Sequence, residues 1–132
     1  MSRKRKYTMI VEKTDTGFSA FEKDLPVFTT GSSIPDLIFN SQEALSLAAN
    51  QESNIDPKLI KFEIDVRQFF QYYKLINAKS FAIRIGMNPT LLSQYVQGHK
   101  KPSSKQTKKI LDGIHSIGQE LSNINLLYHD GR

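Results

Sequence analysis

The apolar residues of this 132-residue chain change their period at Asp65, and that change limits what the chain can fold into. Before Asp65 they recur in twos: Tyr7, Met9 and Val11, then Phe18 and Ala20, then Ile60, Phe62 and Ile64 against Leu59, Lys61 and Glu63. Side chains alternate between the two faces of a strand, so this is the pattern of half-buried β-structure. After Asp65 no strand-like alternation appears, and the apolar positions fall at helical spacing. The first half must therefore build a sheet of its own, and the second an all-helical unit.

The first half reads as βββαβ. A strand over Lys6 to Thr14 meets the turn signal Asp15-Thr16-Gly17 and returns with Phe18, Ala20 and Glu22 on one side. A short third strand follows Pro26 within Leu25 to Ser33. Ser32 or Ser33 then caps a helix whose inward positions are Leu37, Ile38, Leu45, Ala48 and Ala49. Polar punctuation from Asn50 to Pro57 precedes a fourth strand over Lys58 to Asp65. The fold class is α+β, with the helix packed on a small antiparallel sheet. Asp65 with Gln68 three residues on resembles a capping box, and opens a helix expected to run to about Ile76. The domains are thus 1–65 and 66–132, joined with almost no linker.

Charge follows the same division. Residues 1–65 hold eight basic and ten acidic residues, a balance of −2, and residues 66–132 hold ten and three, a balance of +7. Without the basic run Arg3 to Lys6, segment 7–65 stands at −6. Such asymmetry suits two modules with different partners, nucleic acid for the basic half and something positively charged for the acidic half. The absence of cysteine excludes disulfides and thiolate metal sites, and fits a reducing cytoplasm. No apolar run approaches the ~18 residues of a membrane span, and the basic opening MSRKRK is not followed by a signal-peptide core. A cytoplasmic protein without membrane contact is expected.

Within the basic half, helices are expected at roughly 78–85, 89–97 and 104–126. Gly86 ends the first with a positive φ, Met87 turns inward, Asn88 caps the second and Pro89 fits its first turn. Phe81, Ala82, Ile85, Met87, Leu92 and Tyr95 fall at the buried positions of a DNA-binding helix-turn-helix. The outer face of the second helix then carries Thr90, Ser93, Gln94 and Gln97 toward base edges, Gln94 being suited to bidentate pairing with adenine. Asn88, Gln97, His99, Lys100 and Lys101 lie where phosphates would pass, and Lys105, Lys108 and Lys109 extend that stripe. A merely solvated polar face would hold the same residue types, but the excess of lysine over acid favours double-stranded DNA. The last helix carries Ile110, Leu111, Ile114, Ile117, Leu121 and Ile124, and its surplus toward Leu126 and Leu127 suits a homodimer or higher even oligomer.

The residues needed for catalysis are poorly represented. His99, His115 and His129 all lie outside the βββαβ half, no His-x-x-x-His spacing occurs, and neither Ser32 nor Ser33 sits in a nucleophile elbow. Glu12, Asp15, Glu22 and Asp24 cluster near the first hairpin and could hold a divalent ion in a nuclease, but charged turn residues are the commoner explanation. No enzymatic activity, metal or cofactor is expected.

The stretch IVEKTDTGFSAFEKDLPVFTTGSSIPDLIFNSQEALSLA resembles the N-terminal domain of HicB-type antitoxins. The matching marks are a strand running into a D-x-G-F hairpin, a D-L-P corner, T-x-G, S-x-x-x-L and an E-A-L helix. The likeness continues through KFEIDVRQFFQYYKLINAKSFAIRIGMNPTLLSQYVQGHKKPS, similar to the HicB branch with a Cro/repressor-like, Xre-type helix-turn-helix, and so covers nearly the whole chain. The resemblance implies a truncated ribonuclease H-like sheet without nuclease function. It also implies binding to a small basic RNA-cleaving toxin, HicA, whose active site is blocked, and repression of the chain's own operon. The family commonly has glycine after D-L-P, where this chain has Val27 and Phe28, so no toxin-contact residue carries over and those positions stay open. The alternative function is a stand-alone repressor whose N-terminal unit senses a small ligand. A metal-dependent nuclease using the hairpin carboxylates is a third.

Overall fold

The structure, a computed structural model, describes residues 5–129; Arg3 and Lys4 of the basic opening lie outside them. The chain divides into two compact units between Tyr72 and Tyr73.

In the first unit, β1 (Tyr7–Lys13), β2 (Phe18–Glu22), β3 (Phe28–Gly31) and β4 (Ile60–Ile64) form one sheet in the order β3-β2-β1-β4. The helix α1 (Ile34–Ala48) lies between β3 and β4 in sequence. The pairs β1–β2 and β2–β3 are antiparallel, whereas β1 and β4 are parallel, with Met9 opposite Phe62. The sheet is therefore mixed, not antiparallel as expected. Two hairpin steps leave β3 running in the direction of β1. The helix then carries the chain back, so β4 enters alongside β1 in the same direction, as a helical crossover requires.

The inward alternation is the one the sequence suggests: Tyr7, Met9 and Val11 of β1, Phe18 and Ala20 of β2 and Ile60 of β4 are buried with Leu37 and Leu45 of α1. Ser33 is the cap of α1, its Oγ accepting from Asp36 N–H at 3.2 Å, while Asp36 Oδ2 accepts from Ser32 N–H at 2.8 Å. Ala48 and Ala49, expected inward, are exposed. The buried line on α1 runs Leu37, Ser41, Leu45, with Ser46 beside it. Ser46 Oγ donates to the Gln42 carbonyl at 2.6 Å and accepts from Ile55 N–H at 2.8 Å, so buried Ile55 closes that end of the core in place of the alanines.

Helix α2 (Val66–Tyr72) stops short of Ile76 and belongs to the first unit, so the division lies beyond the expected 65/66 boundary. Two contacts hold it there. The Tyr72 ring meets the buried Phe18 ring edge-on with centroids 4.7 Å apart, and Gln68 Oε1 accepts from Lys13 N–H at 2.8 Å. Asp65 Oδ2 does accept from Gln68 N–H, at 3.4 Å, but the Gln68 side chain that would complete a capping box is turned to β1.

The second unit contains α3 (Ala78–Ile85), α4 (Pro89–Val96) and α5 (Ser104–Ser122). Its core is Phe81, Ala82, Met87, Leu92, Tyr95 and Ile110. Ile114 and Ile117 are half-buried, while Leu111, Leu121 and Ile124 are exposed. Helix α5 ends at Ser122, not near residue 126. Residues from Gly118 to His129 are all exposed, so no packing holds a further turn, and Asn123 and Asn125 are weak helix formers. Among the described residues no helix is long and apolar enough to cross a membrane.

Candidate nucleic-acid interface

The joint between α3 and α4 is fixed by backbone geometry. Gly86 has φ 74°, and two hydrogen bonds close the end of α3 around it: Gly86 N–H to the Ile83 carbonyl at 3.1 Å and Met87 N–H to the Ala82 carbonyl at 2.9 Å. This pair of bonds is a Schellman ending, which needs the left-handed conformation that a Cβ opposes. It drops Met87 into the core, where it is buried beside Ala82. Asn88 then takes an extended conformation and its Oδ1 accepts from Thr90 N–H at 2.8 Å, with Pro89 in the first turn of α4. Each role expected of the stretch Gly86 to Pro89 is present.

Helix α4 buries Leu92 and Tyr95. Thr90, Ser93, Gln94 and Gln97 fall at i, i+3, i+4 and i+7, and so share a side of the helix. Thr90 and Gln97 are exposed and Ser93 and Gln94 half-buried. The helix ends in a second Schellman pattern around Gly98, at φ 79°, with Gly98 N–H on the Tyr95 carbonyl at 3.1 Å and His99 N–H on the Gln94 carbonyl at 2.9 Å. Lys100 N–H joins the same carbonyl at 3.2 Å. The loop bearing His99, Lys100 and Lys101 is thereby folded back onto the turn of α4 that carries Gln94. All three side chains are exposed, and so is Lys105 in the first turn of α5. Gly98, one residue beyond the α4 cap, is the sign of this second turn that the sequence carries.

Two of the lysines expected to extend the basic stripe have other partners. Lys109 Nζ donates to the Gly86 carbonyl at 3.1 Å, and Lys108 Nζ pairs with Asp112 Oδ2 at 2.7 Å one turn along α5. Lys109 thus ties α5 to the joint itself, a structural role the sequence did not suggest. Arg84 of α3 forms an ion pair with Glu120 of α5. Asp112 and Glu120 are the acids between residues 73 and 129, and both are matched by these cations. Lys100, Lys101 and Lys105 therefore stand in a local field without acidic counterweight, which favours an anionic partner.

In the first unit the hairpin carboxylates do not act together. Glu22 is buried, and its two oxygens accept from three amides: Thr8 N–H at 2.8 Å, Asp24 N–H at 2.7 Å and Leu25 N–H at 3.0 Å. Burial alone would raise its pKa. The three amides, with the charge of Arg5, outweigh burial and hold it below the ordinary value. Glu22 is spent on pinning β1 and the Asp24-Leu25-Pro26 corner, while Glu12, Asp15 and Asp24 are exposed. Two hollows open on this unit. One, of about 580 Å³, is lined wholly by polar and charged residues including Lys13, Asp15, Asp65 and Arg67. The other, of about 220 Å³ beside Arg5, Tyr7 and Ile55, is smaller than the several hundred Å³ usual for a ligand pocket. Neither combines the size and apolar lining of a small-molecule site.

Comparison of the chain with protein-family models, with curated proteins and with solved structures gives no match.

Proposed function

We propose that the second unit binds double-stranded DNA through α4 and that the whole chain is an antitoxin which represses its own operon. The observation that carries the DNA-binding half is the joint at Gly86 to Asn88, which presents the polar line Thr90, Ser93, Gln94 and Gln97 beside cations without local acids. In this reading Gln94 and Thr90 meet base edges, while Asn88, His99, Lys100, Lys101 and Lys105 meet phosphates. The first unit, a truncated ribonuclease H-like sheet without catalysis, engages a HicA-type toxin. The resemblance of its hairpin and corner motifs supports that half, as does the acidic balance of segment 7–65. The protein acts in the cytoplasm as a homodimer or higher even oligomer, with the exposed Leu121, Leu126 and Leu127 supporting self-association.

Gel shifts on the promoter upstream of its own reading frame, against an unrelated duplex of equal length, test the DNA half. Equal affinity for both at physiological salt would refute a sequence-specific repressor. A search of the flanking genome for a short reading frame encoding a basic protein, followed by co-expression with its product, scoring growth and co-purification, tests the toxin half; no such frame, or a product that neither slows growth nor co-purifies, would refute it.

A further inference from the structure

Two apolar features of the chain are left without cover, and each has the form that the other lacks. The first is the segment that follows α5. In helical spacing Ile124 would continue the apolar stripe of α5, but the helix stops at Ser122 and residues 124–129 form no regular structure. Ile124 is 58% exposed, Leu126 85% and Tyr128 94%. The Ile124 N–H reaches the Leu121 carbonyl at 3.3 Å, but among the described residues no hydrogen bond engages the backbone from Asn125 to Tyr128. Once extended, such a run places Ile124, Leu126 and Tyr128 on one side, and Asn123, Asn125 and Leu127 on the other. From Asn123 to Tyr128 it carries no charge that would repel a strand laid beside it.

The second feature is the outer edge of β4. The order β3-β2-β1-β4 leaves that edge unpaired, with backbone N–H and C=O groups directed away from β1. Toward the core β4 carries Ile60, Phe62 and Ile64; Ile60 is buried, but Phe62 and Ile64 are only half-buried. Three apolar side chains at period two thus border an open edge, and the free segment offers three at the same period. Lys61 and Glu63, on the other face of β4, pair with each other at 3.2 Å and leave the edge without net charge. The opposite edge of the sheet does not match. There β3 turns Thr29 and Gly31 to the core side, opposite Ala20 and Phe18, and its Thr30 carbonyl already accepts from Asn40 Nδ2 at 2.8 Å. We propose that residues Ile124 to Tyr128 pair as a fifth strand with the outer edge of β4 in a second copy, the two copies exchanging these segments reciprocally. Ile124, Leu126 and Tyr128 then extend the apolar face of Ile60, Phe62 and Ile64, and the unpaired backbone groups of both strands find hydrogen bonds. A second copy is the occupant because the segment is uncovered within its own chain. Reciprocal exchange satisfies two segments and two edges in one closed pair, whereas a one-way contact leaves one of each open. The inference rests on the self-association in the reading above, to which it gives an interface, and on neither the DNA half nor the toxin half.

The test is sedimentation equilibrium of the full-length chain and of Leu126→Asp over a dilution series, with disulfide trapping beside it. Leu126 lies outside both cores, and circular dichroism melts report that the variant is folded. Wild type is expected to dimerise, and Leu126→Asp to raise the dissociation constant about tenfold or more, as loss of a central apolar contact does. The chain has no cysteine, so introduced thiols report contacts without background. In the exchanged strand Asn125 lies on the same face as Lys61 and Glu63. Asn125→Cys protein mixed with Lys61→Cys or Glu63→Cys protein under mild oxidation is therefore expected to form a disulfide between the two kinds of chain, with at least one of the two. A folded Leu126→Asp that dimerises like wild type overturns the exchange and leaves the homodimer reading standing. Trapping of Asn125→Cys with itself alone does the same, and gives the interface to the helical unit. A disulfide formed inside single chains of Lys61→Cys/Asn125→Cys at high dilution also overturns it, and gives the edge to the same chain. A wild type that stays monomeric at every concentration overturns the homodimer reading and the exchange together.

Discussion

Met87 N–H donates to the Ala82 carbonyl at 2.9 Å across Gly86, so one backbone bond both ends α3 and delivers an anchor side chain to the core. The bond requires the left-handed conformation at Gly86, where no other atom would touch an added Cβ. Gly86→Ala therefore isolates the conformational cost from any steric one. We expect a loss of about 1 kcal/mol, a fall of about 4–8 °C in the melting of a unit this size. Gly86→Asn should lose less, since asparagine tolerates that conformation better. Equal melting of all three proteins would show that the joint is not held as described.

On the DNA-binding reading, α4 and the following loop should fail in different ways. Gln94→Ala should weaken binding to the specific promoter by about 1–3 kcal/mol, with little effect on unrelated duplex. Lys100→Ala should weaken both and reduce the slope of log affinity against log salt by about one. The Gln94 carbonyl that holds His99 and Lys100 is backbone and survives the alanine change. Promoter shifts unaffected by Gln94→Ala would remove it from the base contacts.

What the sequence displays and what it conceals differ by the distance over which each feature is decided. Gly86, Asn88 and Pro89 are legible because each role is set by its own φ and by partners within five residues. The inward side of β2, Glu22 included, is legible because period two is local. The parallel pairing of β4 with β1 is hidden, since it depends on where α1 returns the chain. The attachment of α2 to the first unit is hidden for the same reason: nothing near Tyr72 announces that its ring meets Phe18. Lys109 looks like a phosphate contact until its partner, the Gly86 carbonyl 23 residues back, is seen. Pattern also cannot say which strand face goes uncovered, so Phe21 and Phe28 emerge as neighbours only through the register.

Glu22 should make stability depend on acid. Its carboxyl is held below the ordinary value by three amides and Arg5, against the effect of burial. Its contribution is therefore complete above the unfolded value of about 4.3. It is lost as pH falls through the lowered folded value. Glu22→Gln keeps the shape but puts an NH₂ group against amide donors, and should cost about 2 kcal/mol at pH 7. Urea midpoints measured at pH 7, 5 and 3 should show the gap between wild type and variant closing toward pH 3. Parallel curves would mean that Glu22 is not charged in the folded protein.

The two helical glycines of α5 should respond oppositely to one substitution. A Cβ on Gly118 would meet no atom within 4 Å, whereas one on Gly113 would run into Ile85 Cγ2 and lie 3.2 Å from Phe81 Cζ. Alanine gains about 0.8–1.0 kcal/mol of helix propensity over glycine at either place. At Gly118 that gain stands alone, so Gly118→Ala should raise stability by most of it. At Gly113 the new methyl must push aside a β-branched side chain and a buried ring, and overpacking of that kind costs about 1–3 kcal/mol. Gly113→Ala should therefore be neutral at best and more often destabilising, despite the same propensity gain. Thermal melts of the two single variants under one buffer decide it. If Gly113→Ala stabilises as much as Gly118→Ala, α5 does not press on α3 where Phe81 and Ile85 lie.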